Sequence, residues 1–338
     1  MNKILPRDNP IEIMLREDME ISLAKGEKES FQIVVIPAGE GITDVGITVG
    51  DLVSDGGINF YATSIDTAVV GYVQTQTDPR SGTPYIGWWP DPILSFLQTT
   101  DIGAGDAQSF WVRVSAPEDQ APGVYQGTLN VQTNGTTLFS FELTVRVRDF
   151  SMPATSPLPT AITFAPTSTD WEYIWEDPTL KIEWADFLAD YYISYNNLYT
   201  ADGPDLDVIE HLDAAGRLGM FNLRYFYRSN GTTTSAWDAT MAKIQVIYDE
   251  VQSRGLLDHA YLYGNDEFSE NQHVATEAAA QDLKQAFPDV MVMTTAIDNS
   301  YGLNSAIQSI DAWCPYTSTF SPEKAETVRA AGKQVWWY

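Results

Sequence analysis

A chain of 338 residues is long enough for two domains, and 44% hydrophobic residues suffice to build their cores, which excludes a disordered protein. A net charge of -27, spread through both halves, makes nucleic acid and anionic membranes poor partners, because both select positive surface. No uninterrupted apolar run of about 18 residues is present, so no segment reads as a membrane span, and the single cysteine, Cys314 in the run AWCPY, excludes an intrachain disulfide and reads as a small core residue.

The N-terminal stretch MNKILPRDNP is too short and polar for a signal peptide. The mature form of an exported protein would read the same way, so localisation stays open. The first 150 residues then read as strands: FQIVVIPA (31–38), TAVVGYVQT (67–75), SFWVRVS (109–115), TLNVQT (128–133) and TLFSFELTVRVRDF (137–150). In the last of these, Phe139, Phe141, Leu143, Val145 and Val147 alternate with polar residues, the period of a strand with one buried and one wet face. Asn134-Gly135 lies between the last two runs and favours a type I′ hairpin turn. Short strands punctuated by turns, with no helical stretch, predict an antiparallel β-sandwich. The proline-rich SMPATSPLPT (151–160) reads as a stiff linker, which divides the chain into a sandwich domain, 1–154, and a second domain, 155–338.

Strands and helices alternate from there on. TAITFA (160–165), NNLYT (196–200), MFNLRYF (220–226), HAYLYG (259–264), VMVMTTA (290–296), AWCPYT (312–317) and QVWWY (334–338) read as strands. WADFLADYY (184–192), DVIEHLDAAGRL (207–218), MAKIQVIYDEVQSRG (241–255) and VATEAAAQDLKQAF (274–287) carry helical periodicity, and Pro288 stops the last. Repeated βα units imply a parallel sheet with right-handed crossovers. A count of seven strands and six helices falls one strand and two helices short of a (β/α)8 TIM barrel. A doubly wound sheet is the alternative, but no glycine-rich βα turn of the dinucleotide type occurs.

In a barrel, chemistry sits on the loops after the strands. The fourth predicted strand ends at Gly264, and Asn265, Asp266 and Glu267 follow it. Two carboxylates there suit glycoside hydrolysis, with one group as general acid and the other stabilising positive charge at the anomeric carbon. Asp-Glu is equally an ordinary helix start in a chain with 46 acidic residues, and only position separates the two readings. Adjacent residues cannot flank a bond symmetrically, so a catalytic pair would have unequal roles. His211, His259 and His273 lack metal-ligand spacing, no G-x-S-x-G and no phosphate loop is present, and neither metal nor cofactor is expected. The 10 Trp, 17 Tyr and 14 Phe fit sugar platforms and large cores alike. Candidates near strand ends are Tyr199, Tyr225, Tyr263, Trp313, Tyr316, Trp336, Trp337 and Tyr338, of which alternation should place half in the core.

Several stretches resemble glycoside hydrolase family 123 and its uncharacterised relatives. They are LAKGEKESFQIVV (23–35), WWPDPIL (88–94), FWVRVSAPEDQAPGVYQGTLNV (110–131) and VRVRDFSMP (145–153), then GLLDHAYLYGNDEF (255–268), IDAWCPY (310–316) and GKQVWWY (332–338). The resemblance implies a sandwich followed by a (β/α)8-type barrel that continues past GKQVWWY, so the barrel is expected to be incomplete near its seventh strand. It implies removal of terminal β-linked N-acetylhexosamine, N-acetylgalactosamine first, with the substrate's own acetamido oxygen as nucleophile and net retention. Asp266 would then orient the acetamido group and Glu267 protonate the leaving oxygen, with Glu267 buried against Tyr263 and its aromatic neighbours. Tyr263, Trp313, Tyr316 and Trp337 are the expected substrate-binding residues, and a glycan the expected partner. A conventional two-carboxylate glycosidase for another sugar, or a non-catalytic carbohydrate-binding protein, are the alternatives.

Overall fold

The structure, a computed structural model, describes residues 3–7, 18–77, 85–164 and 177–338. The chain divides into two compact units, Met1–Met152 and Pro153–Tyr338.

In the first unit, β1 (Asp18–Lys25), β3 (Ile42–Val49), β8 (Thr99–Ile102), β10 (Gly123–Thr133) and β11 (Thr136–Ser151) form one sheet in the order β1-β11-β10-β3-β8, with β4 (Leu52–Ser54) and β5 (Asn59–Phe60) attached to β10. The second sheet runs, in order of pairing, β2 (Lys28–Val35), β9 (Gln108–Ser115), β6 (Ile65–Gln74) and β7 (Trp88–Leu94). The two inner faces share one core. Phe31, Ile33, Val69, Phe110, Val112 and Val114 of the second sheet meet Val45, Ile47, Leu129, Val131, Leu143, Val145 and Val147 of the first. This is a sandwich, and its ladders are antiparallel except one: β1 runs parallel to β11, Asp18 opposite Glu142 through Leu23 opposite Val147. The hairpin at 134–135 forms as its residues dictate, with φ of 48° at Asn134 and 74° at Gly135 and Thr133 opposite Thr136.

In the second unit five short strands lie parallel in chain order: β12 (Phe221–Asn222), β13 (Ala260–Tyr263), β14 (Met291–Thr294), β15 (Ala312–Trp313) and β16 (Gln334–Val335). The two strands expected before them, 160–165 and 196–200, have no ladder among the described residues, and residue 165 lies outside these. They occupy strand places nonetheless. Phe164 N–H donates to Asn196 O, and Tyr225 N–H to Thr200 O. The Asn196 side chain accepts from Asn222 N–H and donates to the Tyr261 hydroxyl, so an amide side chain fills the space where a ladder would run. The described residues therefore form an arc of successive parallel segments, and not a closed barrel.

Helices α1 (Pro178–Asp190), α2 (Leu206–Ala214), α3 (Thr234–Ser253), α4 (His273–Ala286) and α5 (Pro322–Ala330) fill five of the crossovers. Asp177 caps α1 by accepting from Thr179 and Leu180 N–H, and Ser321 caps α5, each followed by proline at the first helical position. The crossover from β14 to β15 carries no helix. In IDNSYG, Asp298 accepts from the Ser300 and Gly302 N–H groups and the Ser300 hydroxyl, and such local bonds compete with helix.

Strand alternation separates two cores. Tyr261, Tyr263, Met293 and Ala312, with Met220, Tyr225, Met291 and Trp336, line the inner face. Phe221, Leu223, Leu262, Val292 and Trp313 turn outward onto the helices. At the top of β13 the chains approach closely. Gly264 bridges Phe226 in parallel register, and a Cβ on it would lie 2.0 Å from Phe226 O and 2.5 Å from the ring. Only glycine fits.

Two stability outcomes follow. Leu143→Ala removes a fully buried side chain shared by both sheets and should cost about 2–5 kcal/mol in urea unfolding. Gly264→Ala forces β13 and the Phe226 segment apart and should destabilise by about 3 kcal/mol or more. An unchanged melting temperature for the glycine variant would contradict the close approach.

Candidate active site

The segment after β13 is held by its own first residues. Asn265 is fully buried with φ of 48°. Its Oδ1 accepts from Arg228 N–H at 2.8 Å, and its Nδ2 donates to Arg228 O at 3.1 Å and to Thr276 Oγ1 at 3.0 Å. Asparagine tolerates the left-handed region better than most residues, and here its amide satisfies a neighbouring backbone. Glu267 is also left-handed, φ 53°. Left-handed residues on both sides of Asp266 turn the chain between the two acids, so they need not point to opposite faces as strand residues would.

Asp266 collects hydroxyl donors. Tyr263 Oη and Thr295 Oγ1 both donate to Oδ1 at 2.6 Å, and Tyr199 Oη donates to Oδ2 at 2.8 Å. The Asp266 N–H donates to Tyr225 Oη at 3.3 Å. The rings of Tyr199, Tyr225 and Tyr263 pack on one another with centroids 5.3–6.0 Å apart. Partial burial pushes the Asp266 carboxyl up, but the hydroxyls of Thr295, Tyr263 and Tyr199 outweigh it and hold the carboxyl below the ordinary aspartate range. The tyrosines move the other way. Burial, then the hydrogen bond to Asp266 and its charge, raises Tyr263 and Tyr199, so their protons stay in place to donate.

Glu267 stands beside a second pair. Tyr338 Oη donates to its Oε1 at 2.9 Å, and the rings of Tyr338 and Tyr316 stack with centroids 4.8 Å apart. Tyr316 is raised by its bond to Glu267, and Tyr338 by burial and then by Tyr316 and Glu267. The Glu267 N–H donates to Thr295 Oγ1 at 3.1 Å. Tyr199, Tyr225, Asp266, Thr295, Tyr316 and Tyr338 all follow strands or strand-like segments at their C-terminal ends, so one face of the arc carries the whole cluster. Among the described residues no ion pair involves Asp266 or Glu267, and no group of three or more acidic, histidine or cysteine side chains could hold a metal.

The expected burial of Glu267 against Tyr263 is not what the structure shows. Glu267 is exposed, and the Tyr263 hydroxyl is committed to Asp266. Two expected platforms also change role. Tyr263 is 2% exposed and supports Asp266 with its hydroxyl, so it offers no open ring face. Trp313 is 1% exposed and faces outward into the helix-side core, because it alternates with the inward Ala312; its Nε1 has no protein partner. Trp337 is 58% exposed but rests on Phe320, while its neighbours Trp336 and Tyr338 turn inward. Only Tyr316 of the four stays beside the pair with an accessible ring. Asn265 and Thr295 are not among the expected site residues; Asn265 is the polar residue directly after the predicted strand 259–264, whereas Thr295 falls within the predicted strand 290–296 and carries no signal of its own. Burial pushes the Cys314 thiol up to about 12, so it is no nucleophile at neutral pH.

Comparison with known proteins places these features. Residues 7–133 match the glycoside hydrolase 123 N-terminal domain. No curated protein sequence matches the chain. A family 123 glycoside hydrolase from Clostridium perfringens, studied for glycolipid glycan hydrolysis, superposes with a TM-score of 0.74 at 13% identity, over 97% of this chain and 68% of that one. An FMN-binding β-glucuronidase from Facaelibacterium prausnitzii aligns over 94% of this chain and 46% of its own, but at a TM-score of 0.32 and 9% identity it supports no argument. The chain thus carries a glycoside hydrolase 123 N-terminal domain over residues 7–133, and its fold is similar to that of a family 123 glycoside hydrolase.

Proposed function

We propose that the protein is a glycoside hydrolase that removes terminal β-linked N-acetylhexosamine, N-acetylgalactosamine first, by substrate-assisted retaining catalysis. The observation that carries this reading is the asymmetry of the acid pair. Asp266 is held as an anion by three hydroxyls, whereas Glu267 is open on the same face and touches only tyrosine hydroxyls and a backbone bond. Two symmetric carboxylates are what a conventional double-displacement site needs. A fixed anion next to an exposed carboxyl suits a reaction whose nucleophile comes from the substrate.

In this mechanism Glu267 donates its proton to the glycosidic oxygen as the bond to the anomeric carbon breaks. The acetamido oxygen attacks that carbon from the opposite face, and its C=O π electrons shift to give a cyclic oxazolinium. Asp266 accepts the acetamido N–H, aligning the group and stabilising the positive charge that develops on it. Glu267, now a carboxylate, takes a proton from water as the water attacks the anomeric carbon; the bond from that carbon to the acetamido oxygen breaks, restoring the acetamido carbonyl, and the sugar leaves with retained configuration. Among the described residues no cation pairs with Asp266, so its negative charge is available to a cationic transition state. Tyr316 and Tyr338 orient the Glu267 carboxyl, and the open Tyr316 ring offers a stacking face for the sugar.

Glu267→Gln should abolish turnover of an aryl β-N-acetylgalactosaminide with a poor leaving group, and Asp266→Asn should lower kcat by about 100-fold or more, read by release of the phenol. Equal rates in wild type and both variants would refute the assignment. Faster hydrolysis of sugars lacking the 2-acetamido group would favour a two-carboxylate enzyme, and binding without product would mark a lectin-like relative. Because the folded Asp266 carboxyl lies below its unfolded value, its contribution to stability is present above that unfolded value, about 3.9, and is lost as pH falls through the folded one. The stability difference between wild type and Asp266→Asn should therefore shrink on acidification below about pH 4, measured by urea unfolding across pH.

A further inference from the structure

We propose that Thr295, the residue after β14, is a positioning residue that ties the Asp266 carboxylate to the Glu267 backbone with one hydroxyl; its catalytic consequence rests on the functional reading above. Thr295 Oγ1 donates to Asp266 Oδ1 at 2.6 Å and accepts the Glu267 N–H at 3.1 Å. A hydroxyl has one proton and two lone pairs, so both bonds form at once. Among the described residues no other side chain bonds to both acids. The bond to the Glu267 N–H also holds a residue whose φ of 53° is unfavourable for a side chain with no local amide to offset it. Thr295 is 8% exposed and lies 2.9 Å from Tyr263 Oη, so its hydroxyl is fixed rather than free to rotate into solvent.

The adjacent Thr294 has a different task. Its hydroxyl reaches Gly264 O at 2.9 Å and Asn265 O at 3.2 Å, bonds to the turn backbone and not to the acids. The pair of threonines thus divides the work: Thr294 ties the loop down, and Thr295 links the Asp266 carboxylate to the Glu267 backbone N–H. Loss of Thr294 should weaken the fold without retuning Asp266, which makes it the control for a purely structural effect.

Valine matches threonine in shape and lacks the hydroxyl, whereas serine keeps it. Thr295→Val should lower kcat on the aryl β-N-acetylgalactosaminide by about 10–100-fold with KM changed by less than about threefold, because the acids are misplaced relative to the reacting atoms. Its acid limb in kcat/KM should move to higher pH, since Asp266 loses one of three hydroxyl donors. Thr295→Ser should keep the wild-type limb and most of kcat, and Thr294→Val should keep the limb whatever its stability. A Thr295→Val enzyme with wild-type kcat and limb, or a serine variant as impaired as the valine one, would overturn the proposal. A second readout needs no turnover: unfolding stability against pH for Thr295→Val, with and without Asp266→Asn. The loss caused by valine should diminish on acidification with Asp266 present and be independent of pH in the Asp266→Asn background. A pH-independent loss in both backgrounds would show that Thr295 does not act through Asp266. If wild type hydrolyses no N-acetylhexosaminide, the functional reading fails while this cycle still decides the coupling. Thr295→Ala serves the same comparisons should the valine variant not fold.

Discussion

One buried amide determines where the acid pair can be. Asn265 spans from β13 to the Arg228 backbone with all its polar atoms in use, and it holds a left-handed turn that few other residues would adopt there. Gly264, immediately before it, lets the Phe226 segment come within contact of the strand. These two residues fix the direction in which the chain leaves the sheet. Asp266 and Glu267 inherit that direction, and every contact they make depends on it.

The site that results is built from hydroxyls. The molecule is strongly acidic overall, and a carboxylate with a depressed pKa in such a field would ordinarily be expected beside an arginine or lysine. Here three neutral donors keep Asp266 ionised. A cation would have neutralised the charge it stabilised; hydroxyl dipoles leave the net negative charge available to a ligand. The tyrosines can do this because burial raises their own pKa and keeps them protonated. The inner face of the arc therefore uses aromatic residues twice, as packing for one another and as donors to the acid.

Legibility varied with the kind of pattern. The alternation of TLFSFELTVRVRDF and the Asn134-Gly135 turn are local, and the hairpin follows from them. The parallel β1–β11 pairing is not local: residues 18–25 and 142–151 meet only when the sheet assembles. The segments at 160–165 and 196–200 are expected as strands, but their described residues form no ladder, and the Asn196 side chain stands where a ladder to β12 would run. The turn-rich IDNSYG displaced the helix that a regular βα count assigned to the β14–β15 crossover. Among the aromatic candidates, alternation was the right rule and its phase was the unknown. Trp313 and Trp337 fell outward, while Tyr338 and Trp336 fell inward.

Composition, periodicity and turn chemistry by themselves determined a strand-rich half, a βα half, and an acid pair at the end of a strand, because each is written in residues close along the chain. The different surroundings of the two acids were decided by tertiary structure alone. Tyr199, Tyr225 and Thr295 come from three other strand ends, and nothing in their own surroundings marks them as partners of Asp266. Only the assembly of parallel segments brings the Tyr199 and Thr295 hydroxyls to the Asp266 carboxylate and the Tyr225 hydroxyl to its backbone N–H while leaving Glu267 exposed, and that assembly is set by packing across the whole sheet.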